Sequence, residues 1–498
     1  MKRVESSLPY NQSLALLTDL YQLTMVYGYW KAGLAERQAV FHLNFRRWPF
    51  KGGFAIAAGL ETAVHFLKNF KFSKSDLDYL VGLEDAGGER LFEKEFLHFL
   101  SRFDFCCDFD AVPEGTAVFP YEPLIRVKGP IWQAQLLESP MLNLINFQTL
   151  IATKAARICM AARPDPVVEF GMRRAQGPDG AISASRAAYI GGCVGTSDVI
   201  AGKLFGIPVR GTHAHSWVMA FDEEKAAFGT FAEIMPKGCI MLIDTYDSIE
   251  GVKLAVEVGR EMRKRGSDLY GVRLDSGDLA LLSIEVRKIL DREGFPKTEI
   301  MASNELDEYL IRDLKQQGAK ITIWGVGTNL VTGKDQPALD GVYKLSAIQN
   351  KQGEWVHKIK LSEQTAKVTN PGILQIRRFF DGKFYIGDGI FDELTQIKGA
   401  LQIVDILDPN DQRSLSGELL HFEDLLVPIF RKGNLVYDLP SLPEIQSRAQ
   451  IELSRLPPSM ERLVNPQPYF AGLEKGLYQK KIELIRELRG GHWPKKES

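Results

Sequence analysis

Between residues 167 and 324 the chain alternates short apolar runs with longer amphipathic stretches. The runs fall near 167–170, 189–193, 207–212, 239–244, 268–273, 298–302 and 320–324. They do not alternate apolar with polar residues, as expected of strands buried on both faces of a parallel sheet. Three of the stretches between them end in glycine: Gly266 after Lys264-Arg265, Gly294 after Arg292-Glu293 and Gly318 after Gln316-Gln317. A cation in the last turn followed by glycine is a standard helix stop. This rhythm of strand, turn and helix favours a barrel of about seven βα units over an open doubly wound sheet.

The flanks read differently. Residues 1–10 suggest a loose arm. A helix is expected from Leu16 to about Met25, with Thr18 or Asp19 as N-cap and Gly33 as stop. Leu20, Leu23 and Tyr27 lie roughly on one face of it, so Tyr21 and Gln22 are expected to point elsewhere. Phe41-His-Leu-Asn-Phe45 alternates like a strand, residues 59–102 carry helical spacing, and 116–120 and 123–129 look like further strands. A helical stretch at 133–160 leads into the barrel. Beyond about 340 strand-like runs return, at 341–346, 357–361 and 373–380, and 468–489 reads as a terminal helix. The expected fold is therefore an N-terminal α/β domain (1–135), an irregular, incomplete TIM-like α/β barrel carrying the site (136–345) and a C-terminal α+β region (346–498).

Composition changes this picture little. The chain has 498 residues, 45% hydrophobic and 25% charged, which is ordinary globular material for two or three domains. A net charge of −2 gives no bulk attraction for nucleic acid or an anionic membrane. Five cysteines in no zinc-type spacing, no signal-peptide block and no long apolar span point to reduced thiols and a cytoplasmic location.

The chemistry gathers where the apolar runs end. Pro208-Val-Arg-Gly-Thr-His-Ala-His-Ser-Trp217 places two histidines beyond a strand, where α/β folds bind ligands. His213 and His215 lack a third ligand in similar order for zinc. Each is either a hydrogen-bonded structural histidine or a nucleophile whose tautomer a carboxylate fixes, Asp244 or Asp247 being the candidates. Arg273-Leu-Asp-Ser-Gly-Asp278 has the make-up of a phosphate turn: Gly277 admits backbone donors and Ser276 adds another. Asp275 and Asp278 would then hold a ribose hydroxyl or Mg²⁺, or else simply cap the next helix. Gly325-Val-Gly327-Thr328 is a second glycine turn, and phosphate sites recur after late barrel strands. Phe170 belongs either to the core or against a flat ring, with Arg173 or Arg174 on phosphate.

Taken together, Thr18-Asp-Leu-Tyr-Gln-Leu-Thr-Met25, Phe45-Arg-Arg47, Glu169-Phe-Gly-Met-Arg-Arg-Ala-Gln-Gly-Pro-Asp-Gly180, Gly211-Thr-His-Ala-His-Ser216, Asp244-Thr-Tyr246, Val272-Arg-Leu-Asp-Ser-Gly-Asp278, Gly325-Val-Gly-Thr328 and Lys367-Val-Thr-Asn-Pro-Gly372 resemble the nicotinate phosphoribosyltransferase family. The resemblance runs in order from residue 18 to about 372. It implies formation of nicotinate mononucleotide and diphosphate from nicotinate and 5-phosphoribosyl 1-diphosphate. ATP hydrolysis is coupled to the reaction, formally that of a ligase in NAD salvage, with Mg²⁺ accompanying both phosphate substrates. It further implies a homodimer, a transient phosphohistidine at His215, and contacts of Thr212 and Arg273 with nicotinate. By the same match Tyr21, contributed across the dimer, and Phe170 flank the pyridine ring, and Thr369 touches phosphoribosyl diphosphate. One position departs from the family: Asp198 stands in Gly195-Thr-Ser-Asp198 where nicotinate enzymes often carry asparagine and nicotinamide-using relatives place an aspartate. Three other readings compete: a nicotinamide phosphoribosyltransferase, a phosphohistidine carrier and a metabolite-binding barrel.

Overall fold

The computed structural model describes residues 13–490 except Gln396, Lys398, Gly399, Glu418 and Leu419, so the expected arm at 1–10 lies outside the described residues. The chain divides into two compact units. Of the described residues, one holds 151–337 and the other joins 13–150 to 338–490.

The unit Ile151–Pro337 is built on six parallel strands: Val167–Glu169, Gly195–Thr196, Ile240–Leu242, Gly271–Leu274, Glu299–Asn304 and Ile323–Val326. Ile323–Val326, last in sequence, pairs with Val167–Glu169, first in sequence. Pairing then runs through Glu299–Asn304 and Gly271–Leu274 to Ile240–Leu242 on one side, and to Gly195–Thr196 on the other. A single bridge between Thr196 and Val209 extends that second edge. The sheet is thus a curled half-barrel. Its open seam lies between Val209 and Ile240.

Two of the expected strands are corrected. Residues 189–193 are not a strand, because the helix Gly177–Ile190 runs through Tyr189 and the strand comes later, at Gly195. Ala181, Ala184, Ala187 and Ala188 bury one face of that helix, and alanine favours helix. The run 207–212 makes only the Val209 bridge. Pro208 cannot donate to a ladder, which limits pairing there.

The helices that follow four strand positions start in one way. Asp198, Asp247, Asp278 and Asp307 each occupy the N-cap and accept hydrogen bonds from backbone N–H groups of the first turn. Such a cap contributes roughly 1 kcal/mol and satisfies donors that the helix itself leaves unpaired. The expected glycine stops also lie in the left-handed region, Gly266, Gly294 and Gly318 at φ of 80°, 82° and 82°.

The other unit does not follow the order of the chain. The sequence reading separates 1–135 from 346–498, but the strand Gln38–Asn44 lies between Ile125–Pro130 and Val342–Gln349, antiparallel to both. Val427–Arg431 extends the same sheet by pairing with Asp108–Ala111. A second sheet takes its strands from residues 374–474. The run at 357–361 forms only the short strand Trp355–His357, and the terminal helix is Lys475–Gly490. A buried ionic cluster ties the second sheet together: Arg378 reaches Asp388 at 2.6 Å and Glu452 at 3.1 Å. In the helix Leu20–Lys31 the expected outward pair splits. Gln22 is buried against Gln135 and Glu138, while Tyr21 is exposed. Asp19 is the N-cap residue, but its carboxylate accepts from Ser139 rather than capping. Among the described residues no helix is long and apolar enough to cross a membrane. None of the five cysteines is in a disulfide.

Candidate active site

The half-barrel brings its strand ends to one rim, and the two histidines there do different work. His213 is buried. Its Nε2 accepts the Leu242 backbone N–H at 3.1 Å, its Nδ1 lies 3.3 Å from the Ala214 carbonyl, and its ring packs edge-on against Phe231. Only the neutral ring with a hydrogen on Nδ1 makes both bonds. Burial pulls its pKa down to about 4, so His213 is a structural histidine.

That shift has a definite sign for stability. The unfolded chain takes up a proton on this residue near pH 6.5, and the folded chain only near pH 4. The stabilisation is therefore fully present above pH 6.5 and is lost as pH falls from about 6.5 to about 4. Urea unfolding at pH 5 should show about 2 kcal/mol less stability from this residue than at pH 7.5. A His213→Gln variant, which keeps an acceptor for Leu242, should lack that component. If both proteins show the same pH dependence, His213 is not held neutral.

His215 opens the short helix His215–Met219 and is partly exposed. Its Nδ1 lies 3.2 Å from Thr245 Oγ1 and its Nε2 3.7 Å from Asp275 Oδ2. The carboxylate beside it is therefore Asp275, not Asp244 or Asp247. Asp247 caps its helix through Ile249 and Glu250. Asp244 instead organises the turn that carries Asp275. Its Oδ2 accepts from the Asp275 backbone N–H at 2.8 Å and from Ser276 Oγ at 2.7 Å. Asp275 is held in turn by Ser303, whose hydroxyl donates to its Oδ1 at 2.5 Å.

Arg273 projects from the strand Gly271–Leu274 and donates through Nη1 to Thr212 Oγ1. Burial lowers the guanidinium from its usual pKa, while the Asp275 and Asp244 charges act the other way. The exposed Arg173 is near enough for its charge to be felt there. Phe170 lies half-buried over Gly325. A Cβ at Gly325 would come within 2.8 Å of the Phe170 ring and 3.1 Å of Met301 Cε, and one at Gly327 would meet the Phe170 carbonyl at 3.1 Å. Gly325 thus makes room for the ring, and Gly327 for the backbone that carries it. Gly277 has φ of 78°, as the turn before Asp278 requires. Thr328 Oγ1 donates to Glu305 at 3.2 Å.

Among the described residues, three buried polar atoms on these elements have no partner: Arg273 Nε, Asp244 Oδ1 and Asp198 Oδ2. Leaving such atoms bare costs about 1–3 kcal/mol each. Asp278 and Asp198 spend one oxygen each on their helix caps. No group of three or more His, Cys, Asp or Glu among the described residues could hold a metal ion by itself. The donor set therefore suits Mg²⁺ only when phosphate oxygens and water supply most of its ligands.

Three residues were not foreseen. Glu169 is fully buried at the end of its strand and accepts from Ser185 at 2.8 Å and Thr196 at 2.5 Å, and also from the Gly171 backbone. Burial raises its pKa. A carboxylate closing an apolar run was the available signal. Thr245 and Ser303 carried none beyond standing at strand ends. Tyr21 and Thr369 belong to the other compact unit. Tyr21 is exposed near the start of its helix, and Thr369 Oγ1 accepts the Lys360 backbone N–H at 2.8 Å.

Comparison with known proteins covers nearly the whole chain. Residues 16–146, 166–372 and 374–481 match, in order, the N-terminal domain, family and C-terminal domain descriptions of nicotinate phosphoribosyltransferase. The nicotinate phosphoribosyltransferase of Bacillus subtilis is 42% identical over 484 residues, 96% of each chain. The human one is 35% identical over 96% of this chain and 97% of its own. The crystal structure of human nicotinic acid phosphoribosyltransferase superimposes with a TM-score of 0.81 at 32% identity, covering 94% of this chain and 99% of that one.

Proposed function

Since the chain belongs to the nicotinate phosphoribosyltransferase family, we propose that it joins nicotinate to 5-phosphoribosyl 1-diphosphate in NAD salvage, with ATP hydrolysis coupled through His215. The pyridine nitrogen attacks the anomeric carbon, a C–N bond forms, and the C–O bond to diphosphate breaks with the electron pair leaving on diphosphate. Nicotinate is a flat ring bearing a carboxylate, so it asks for an aromatic face and a fixed cation. Arg273 is the observation that carries the reading. Its guanidinium is held on one edge by Thr212, and its buried Nε still lacks an acceptor. Phe170 offers the ring a face.

Coupling to ATP assigns His215 the phosphoryl group. An N–P bond forms at the imidazole as the β–γ bridging P–O bond breaks and ADP leaves, and water later returns the ring and phosphate. Thr245 and Asp275 fix the ring for this step. A dianionic group there changes the charge at the rim and so the affinity for the diphosphate substrate. Mg²⁺ bound to the phosphates would neutralise the leaving charge. The reading also carries an incomplete TIM-like barrel, a cytoplasmic homodimer, Tyr21 serving the neighbouring subunit's ring site, and Thr369 touching phosphoribosyl diphosphate.

Asp198 supports a second reading. Its buried, unpartnered Oδ2 would suit the amide donors of nicotinamide better than a carboxylate. Diphosphate release with Mg²⁺ and phosphoribosyl diphosphate, with nicotinate or nicotinamide and with or without ATP, separates these readings. ATP-stimulated release with nicotinate is expected. Preference for nicotinamide would transfer the assignment to Asp198. No release with either would remove the transferase reading.

A further inference from the structure

The terminal helix Lys475–Gly490 buries two residues four apart, Leu477 and Lys481. A helix sets such positions on one face, where an apolar residue is expected. Lys481 is 5% exposed, yet its ammonium meets no carboxylate among the described residues. It donates to Asn370 Oδ1 at 2.8 Å. Burial alone draws its pKa down to about 8. A buried, unpaired ammonium is costly, and a leucine or methionine would fill the same space without that cost.

The partner explains the placement. An ammonium only donates, so it fixes the Asn370 amide with oxygen towards Lys481 and nitrogen away. Among the described residues the Asn370 Nδ2 donors meet no acceptor. Asn370 and Thr369 line a small cavity with Arg46, Tyr121 and Lys344, all in the same compact unit. Arg46 has no carboxylate partner among the described residues either; it donates over a long 3.4 Å to the Lys367 carbonyl. Lys344 already meets Glu138 at 3.2 Å, so Arg46 and the Asn370 amide are the donors this wall leaves for an anion.

We propose that Lys481 is a positioning residue: it locks the Asn370 amide so that its N–H donors face the phosphate-bearing substrate held at the Thr369–Asn370 turn. The positive charge behind the turn adds to the attraction. This rests on the assignment of that turn to phosphoribosyl diphosphate. Without Lys481 the amide is free to flip and present its oxygen to the anion, so the effect falls on one substrate only.

The test is steady-state kinetics and calorimetric titration with Mg²⁺ and phosphoribosyl diphosphate on the full chain. Lys481→Met should raise the KM and Kd for phosphoribosyl diphosphate about tenfold, one lost charge-assisted hydrogen bond. The KM for nicotinate and kcat should move less than about threefold. Lys481→Arg should restore most of the affinity. Asn370→Ala should match Lys481→Met, and the double variant should be no worse than either. If Lys481→Met unfolds the protein, Asn370→Ala and Lys481→Arg still decide. Unchanged affinity in Asn370→Ala, or equal damage to both substrates in every variant, would overturn the proposal. Thr369→Val separates the two failures. Unchanged affinity there removes the turn from the substrate site and the proposal with it. Reduced affinity there with Lys481→Met unaffected overturns Lys481 alone.

Discussion

Replacing His215 by alanine should abolish the response to ATP while leaving a slower, ATP-independent transfer. The imidazole is the one group at the rim that combines partial exposure with ring nitrogens held by Thr245 at 3.2 Å and faced by Asp275 at 3.7 Å. A coupling of this kind is worth roughly 1–3 kcal/mol, so ATP-stimulated kcat/KM for phosphoribosyl diphosphate should fall about 5- to 150-fold. ADP release should stop in the same protein. Label from γ-labelled ATP should enter the parent chain as an acid-labile, alkali-stable phosphate and not the variant. Full ATP stimulation in His215→Ala would refute the phosphohistidine.

Arg273→Gln should be the other severe loss. The guanidinium is mostly buried, and removing a cation from a buried ionic contact costs about 3–5 kcal/mol. The KM for nicotinate should therefore rise about 10²- to 10⁴-fold or pass beyond measurement. Nicotinamide, which brings no charge, should be much less affected, so the ratio between the two substrates is the sharper readout. Arg273→Lys keeps the charge but loses the fork that Thr212 holds from one side, and should fall between. A nicotinate KM within threefold of the parent in Arg273→Gln would place the carboxylate elsewhere.

What the sequence disclosed follows from how local each signal is. Strands buried on both faces read as apolar runs, so five of the seven expected positions coincide with observed strands. The run 189–193 misled because Ala184, Ala187, Ala188 and Ile190 are equally apolar on a helix face. Asp278 carried both a chemical and a structural reading, Asp198 and Asp247 only a chemical one, and all three cap helices. A cap and a ligand ask for the same residue at the same strand end, so spacing alone does not separate them. The pairing of Asp275 with His215 was hidden because it joins two different strand ends. Lys481 was hidden for a similar reason: a lysine in a terminal helix reads as solvated until packing turns it inward. The joining of the first and last thirds of the chain rests on pairings between distant residues, for which a single sequence holds no local mark.

That last pairing bears on how the molecule is made. Asn44 pairs with Val342, and the strand Gln38–Asn44 stands in the middle of its sheet. On a ribosome adding roughly 5–20 residues per second, its second neighbour emerges tens of seconds after it. Over that interval Ala39, Val40, Phe41 and Leu43, all buried in the finished sheet, sit beside an open hydrogen-bonding edge. Ile151–Pro337 emerges in full before that edge closes. A chain stopped after Pro337 would release the strand with its edge still bare, and such an edge recruits other chains. Nascent copies on one messenger are the nearest candidates, so yield in the cell should depend on translation speed and on chaperone supply well before it depends on the stability of the finished protein.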